Sequence, residues 1–249
     1  MIELDAPSVL LQWATGGLAF GWVTGRHRLL GIGYGWLLRS SFGLLGLVGF
    51  LLAVKFEFVA SRDIPALGLV IATFGVLALS VFKKPELTDP RLDMIAPAFG
   101  FVGVIAAAVA AGGPLWLALG RMLIGTLFMG VLTDAMLLGH WYLVQPGLSR
   151  KPLLELVRWT GALWVPETLL LLIPVGMLSV WTGTIDDAYG GMLGWFWGAC
   201  VVTTLGLVIA TLAALKEKQY EAVMAATGLA YLNIMTGFGI DLVARALLR

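Results

Sequence analysis

The residues that could do chemistry gather in one stretch, Thr126 to Gln145, TLFMGVLTDAMLLGHWYLVQ. It is apolar enough for a bilayer, yet it carries Asp134, His140, Trp141 and Tyr142. An ionisable side chain at membrane depth is costly and turns inward toward partners. On a helix, Thr126, Thr133 and His140 are seven apart and share a face, with Met129 and Met136 between them. Asp134 and Trp141 form the neighbouring stripe. This face is expected to point away from lipid and to hold the site.

The first chemistry it suggests is proton exchange. Counting inward from the expected helix ends at 1.5 Å per residue, Arg39, Asp134, Glu167 and Asn233 fall near one depth on four different helices. One arginine facing two carboxyl groups leaves a negative charge unbalanced. Burial disfavours the charged carboxylate and a nearby arginine favours it, so the acid farther from Arg39 is expected to hold a proton and exchange it. An inert salt bridge with a hydrogen-bonded second acid explains the same residues. Pro166, just ahead of Glu167, is expected to kink its helix. Such breaks are tolerated in membranes where the freed carbonyls face protein or water.

The second chemistry is cofactor binding. His140, Trp141 and Tyr142, with Arg158, offer donors and an aromatic wall for a quinone headgroup, and Asp134 lies about 9 Å deeper as a proton relay. The same groups also fit plain polarity at a helix end. His27 and His140 are the only histidines and two histidines from different helices can ligate a b-type haem. His27, however, lies between Arg26 and Arg28 at the water boundary. Met129 and Met136 suit core packing better than axial ligation. Metal-ligand spacing is missing from the sequence. Cys200 stands alone in an apolar run and reads as a small core residue. In the last helix, Asn233, Gly237 and Asp241 share a face, and Asp241 with Arg245 forms an i, i+4 pair near the surface that reads as structural.

These side chains need helices to position them, and the composition supplies them. Of 249 residues, 59% are apolar and 12% charged, and the mean hydropathy is +0.93. The charged share is about half that of soluble domains. Eight apolar runs follow one another, each long enough for a hydrocarbon core of about 30 Å. The expectation is a single all-α integral membrane domain, residues 1–249, a bundle of about eight transmembrane helices joined by short loops. The runs cover 8–23, 29–54, 65–82, 94–111, 115–145, 153–181, 188–215 and 220–248. Pro65 is read as a first-turn residue. Pro166 and Pro174 fall inside the sixth run. Glycines 31, 35, 43, 46 and 49 suit close helix approach, and the ten tryptophans divide between interfacial belt and bundle packing.

Basic residues set the orientation. Arg26, Arg28, Lys83, Lys84, Arg91, Arg150, Lys151, Lys216 and Lys218 fall in alternate loops, while Glu3, Asp5, Asp186 and Asp187 fall on the other side. Both termini are therefore expected outside, although Arg245 and Arg249 argue against it. The acidic start, MIELDAPS, lacks the basic n-region of a cleavable signal. Compact loops suggest a prokaryotic inner membrane. A net charge of +1 leaves no basic face for nucleic acid. A Gly-rich phosphate loop and an in-helix lysine for retinal are missing too, so a stand-alone enzyme is not expected.

Three functions remain. The first is a membrane subunit of an electron-transfer assembly, with other membrane subunits as partners, binding quinone or another apolar cofactor and relaying protons. The second is a proton-coupled transporter of a small solute, against which the lack of an internal repeat counts. The third is a structural subunit with no chemistry of its own.

Overall fold

Asp5 opens the first helix. Its carboxylate accepts the N–H of Ser8 at 3.1 Å, and Pro7 sits in the first turn, where its missing N–H leaves nothing unsatisfied. The computed structural model describes residues 5–82, 90–173 and 175–248. They form α1 (Ala6–Gly25), α2 (Ile32–Phe56), α3 (Ala60–Phe82), a 3₁₀ turn (Pro90–Met94), α4 (Ile95–Ala110), α5 (Leu115–Val144), α6 (Lys151–Leu172), a one-turn α7 (Leu178–Trp181), α8 (Met192–Ala214) and α9 (Tyr220–Leu247). Glu3, Lys83, Lys84, Pro174 and Arg249, used above, lie outside the described residues.

Among the described residues six helical segments, α2, α3, the 3₁₀ turn with α4, α5, α8 and α9, are long and apolar enough to cross a membrane. This is an all-helical chain of the multi-pass membrane type. The expected count of eight is not reached by that measure, because α1 carries Gln12 and four glycines, and α6 carries Lys151, Glu155, Arg158 and Glu167.

The outer faces are apolar: Leu51, Val54, Ile71, Val102, Val202 and Met235 are all exposed. Small and hydroxyl residues fill the inside instead. Thr15, Thr73, Thr126, Thr133 and Thr160 bond the carbonyls four residues back in their own helices, so their hydroxyls need no other partner. Of the six apolar segments α5 is the most enclosed, with 61% of its most apolar window buried against 33% for α2, α3, α4 and α8. It packs on α1 backbone to backbone. A Cβ on Gly16 would sit 1.8 Å from the Thr126 carbonyl oxygen, and one on Gly130 would sit 2.1 Å from the Gly16 carbonyl carbon.

Three boundaries differ from the sequence reading, each for a local reason. α3 starts five residues before Pro65. Asp63 accepts the Val59 N–H at 2.6 Å, and Arg62 bonds Asp63 and Asp5, both at 2.6 Å, which pins the earlier turn. The sixth run stops at Leu172 instead of reaching Trp181, and Gly176 takes a left-handed φ of 43°. The seventh begins at Met192, after Ala188, Gly190 and Gly191 have all turned through positive φ.

Asp187 holds that last turn. Its carboxylate accepts the N–H groups of Gly191 at 2.8 Å, Leu193 at 2.8 Å and Tyr189 at 3.0 Å. These bonds, that of Gly191 foremost, hold the carboxyl below its ordinary value. With the folded value the lower one, the stabilisation is present above the unfolded value and is lost as pH falls through the folded one. Asp187→Asn is expected to lower the melting temperature at pH 7. It should then lose less than the wild type as pH drops below about 4. Melting curves of both proteins in detergent from pH 7 to 3 check this; parallel losses would exclude the role.

Candidate functional site

Near the end of the bundle that holds Asp5, three helices bring four charges together. α5 supplies Arg121, α6 supplies Glu167, and α9 supplies Asp241 and Arg245; none is more than 5% exposed. Arg245 grips Asp241 along one edge, Nε to Oδ2 at 2.6 Å and Nη2 to Oδ1 at 3.1 Å. Among the described residues its remaining Nη1 meets only the Met122 sulfur, at 3.8 Å. Gly125 makes the space, since a Cβ there would lie 3.1 Å from Asp241 Oδ1 and 3.5 Å from Arg245 Nη2. Glu167 lies in electrostatic range of Asp241, Arg245 and Arg121. Neither of its oxygens accepts from a donor among the described residues, although the Asp241 carboxylate is within hydrogen-bond reach once one of the two acids carries a proton; Gln12 Oε1 also lacks a partner among the described residues. Gln12 joins the group from α1 by donating to the Met122 carbonyl at 2.7 Å.

Arg121 explains why α6 ends where it does. A helix leaves its last carbonyls without partners. Arg121 donates from Nε to Leu170 O at 3.0 Å and from Nη2 to Ile173 O at 2.6 Å. Its positive charge also suits the negative end of the α6 dipole. Arg121→Met should therefore fray the end of α6 and cost about 2–3 kcal/mol. Hydrogen exchange at residues 168–173 reads this directly, and unchanged protection there would rule it out.

A cavity of about 530 Å³ opens at this end of the bundle and reaches Met122 and Arg245 at its inner wall. Asp5, Glu57 and Arg62 line it as well, beside Pro7, Phe56 and Val59. Arg62 is fully engaged, with bonds to Asp5, Asp63, Ser8 and the Glu57 carbonyl.

The residues expected at a shared depth separate into three places. Arg39 is not beside either acid. It makes a two-pronged ion pair with Asp93 of the 3₁₀ turn, both bonds at 2.8 Å, and touches Ser80. Glu167 sits one to two turns from its helix end, because α6 stops nine residues earlier than expected. Asp134 lies thirteen residues beyond Arg121 on α5, about 20 Å along the axis. It is 0% exposed, with neither carboxyl oxygen bonded among the described residues. The Tyr34 hydroxyl reaches its backbone carbonyl at 3.4 Å. Asn233, on α9, is buried with Oδ1 likewise unbonded among the described residues.

The four expected cofactor residues do not converge. Tyr142 is buried and donates to the Ser149 carbonyl. Trp141 bonds Gln145 at 3.2 Å and tilts against Tyr34. His140 is exposed on the outer face and meets the Tyr231 hydroxyl at 3.3 Å. Arg158 is exposed on α6. Consecutive helical residues turn by about 100°, so three in a row cannot face one ligand. The stripe from Thr126 to His140 likewise runs from the core to the surface. The two histidines take different partners, since His27 lies 3.6 Å from Glu155, which also pairs with Arg26. Among the described residues no group of His, Cys, Asp and Glu could hold a metal. Indole N–H groups serve packing: those of Trp164 and Trp197 donate to the carbonyls of Val201 and Ile240, each at 3.0 Å.

Arg121 is not among the residues the sequence singles out, whereas Asp241 and Arg245, expected as an i, i+4 pair close to the outer surface, do pair and are fully buried. The signal for Arg121 was present: it is a lone arginine within the apolar run of α5 and meets the rule that singled out Asp134. The sequence matches no family model, and no curated protein or solved structure matches it.

Proposed function

We propose that this chain is a proton-coupled transporter of a small solute. The observation that carries the reading is an open cavity whose wall includes Arg245, one member of a buried cluster of two arginines and two carboxyl groups. Such charges are expensive at membrane depth and mark solute, ion or proton pathways. In this reading α1 and α6 join the six apolar segments to make eight crossings. The end bearing Arg26, Arg150, Lys151, Lys216 and Lys218 is cytoplasmic, and the cavity and both termini face outward, in keeping with a prokaryotic inner membrane. Asp134, farther along α5 and without a hydrogen-bond partner for its carboxyl among the described residues, is the second proton site. It holds its proton at rest and passes it between the outer cluster and the cytoplasmic side.

The test is solute-driven pH change in proteoliposomes. Asp134→Asn should abolish the coupled proton movement while leaving folding intact. Full coupling in that variant would dispose of the role for Asp134.

A second reading rests on a separate observation, the polar pair of His140 and Tyr231 on an outer face of α5 and α9. A hydrogen-bonding pair there suits a quinone headgroup or another membrane subunit, as in an electron-transfer assembly. Redox subunits, haem bands or bound quinone found after gentle purification from native membrane would favour this reading over transport. A colourless chain isolated alone would remove it.

A further inference from the structure

We propose that the cavity binds a small monocarboxylate on the free edge of Arg245, and that one proton enters the cluster with it. The proposal rests on the transport reading and specifies its substrate class. Arg245 is 0% exposed and lines the cavity, and among the described residues its Nη1 has only the weak thioether acceptor of Met122 at 3.8 Å. That Nη1 has no oxygen acceptor among the described residues, and a carboxylate is the planar anion that fits a guanidinium edge. Arg62 also lines the cavity, but its N–H groups are already bonded to Asp5, Asp63, Ser8 and the Glu57 carbonyl. One free edge suits one negative charge, and Asp5 and Glu57 at the rim repel dianions. The rest of the wall, with Pro7, Phe56, Val59 and Ala107, accommodates a small apolar body. The volume lies within the usual range for small-ligand sites.

Charge balance gives the coupling. Arg121 and Arg245 match Asp241 and Glu167 when all four are ionised. An added carboxylate leaves one negative charge uncompensated in a buried place, which is strongly unfavourable. A proton from the outer solution restores neutrality. Glu167 receives it, because neither of its oxygens accepts from a donor among the described residues and the Asp241 carboxylate is within hydrogen-bond reach to accept the new O–H. The charged groups facing Glu167 are Arg121 from α5 and Asp241 and Arg245 from α9. α8, which also packs on α6, carries Cys200 as its one ionisable group, and α1 carries none.

The test uses the purified full chain with pyruvate, butyrate and benzoate as probes. Each should raise the melting temperature, whereas chloride and phosphate at equal ionic strength should not. In weak buffer, binding should take up one proton per carboxylate. Glu167→Gln should keep binding and lose the proton uptake. Arg245→Lys should weaken binding about tenfold, since lysine lacks the planar fork. Ala110→Trp should block the cavity without touching the cluster, which keeps the test valid where Arg245 variants fail to fold. No stabilisation by any of the three probes, or unchanged binding in Ala110→Trp, overturns the proposal. Binding with proton uptake but no flux in proteoliposomes would keep the site and remove the transport reading. Flux of a different solute with no carboxylate binding would do the reverse.

Discussion

Arg245→Ala is expected to destabilise the protein by about 3–5 kcal/mol, the usual effect of removing one partner from a buried ion pair. Both Asp241 oxygens would lose their donors, beside Glu167, with Arg121 as the remaining cation in range of Glu167. The double replacement Asp241→Leu/Arg245→Met should behave differently. It removes both charges, fills a similar volume with apolar atoms, and leaves Arg121 and Glu167 balanced. Stability should return to within about 1–2 kcal/mol of the wild type, while carboxylate binding stays lost. Thermal or denaturant unfolding in detergent of the two single variants and the double variant measures the coupling. Additive single effects would mean that the pair is not a unit. A double variant as stable as the wild type, yet inactive, would show that the pair is kept for function and not for folding.

Gly16→Val is expected to be comparably severe, at about 3 kcal/mol or outright failure to fold, near the upper end for overpacking. The atoms in the way are backbone: Thr126 O at 1.8 Å, Thr126 C at 2.8 Å and the Gly130 Cα at 3.1 Å from a Cβ. A side chain can rotate aside, but here α1 and α5 would have to separate along their length. Gly228→Ala is the control, with open space around its Cβ in a helix. It should be neutral or gain up to about 1 kcal/mol from helix propensity. Equal effects at the two positions would refute the close-approach account. Small residues matter here because a bilayer supplies little hydrophobic drive between helices, and tight van der Waals contact takes its place.

Much of the architecture was legible in the chain because its signals are local. Apolar runs of membrane length, the short connectors and the Gly112-Gly113-Pro114 turn each depend on neighbours in sequence, and the corresponding helices are present. The face of α9 shared by Asn233, Gly237 and Asp241 also follows from the 3.6-residue period. It does turn inward, with a Cβ on Gly237 placed 2.3 Å from Leu132. The site was legible only in part. Glu167 was found as a buried acid, but its depth was misjudged because the end of α6 depends on Arg121, some fifty residues away. His140, Trp141 and Tyr142 were grouped by adjacency, and helical geometry points adjacent residues in different directions.

By itself, then, the sequence determined the class, an all-helical chain built for a lipid environment, together with most helix starts and the identity of the residues too polar for lipid. Those properties come from backbone hydrogen bonding and side-chain transfer energies, which each segment carries alone. Tertiary structure alone decided which charges meet: Arg39 with Asp93, Arg121 with the end of α6, and Arg245 with Asp241 beneath an open cavity. Periodicity states which residues share a face of one helix. Which other helix that face meets, and at what height, depends on where every helix ends and on contacts such as Gly16 against Gly130, made between residues far apart in the chain.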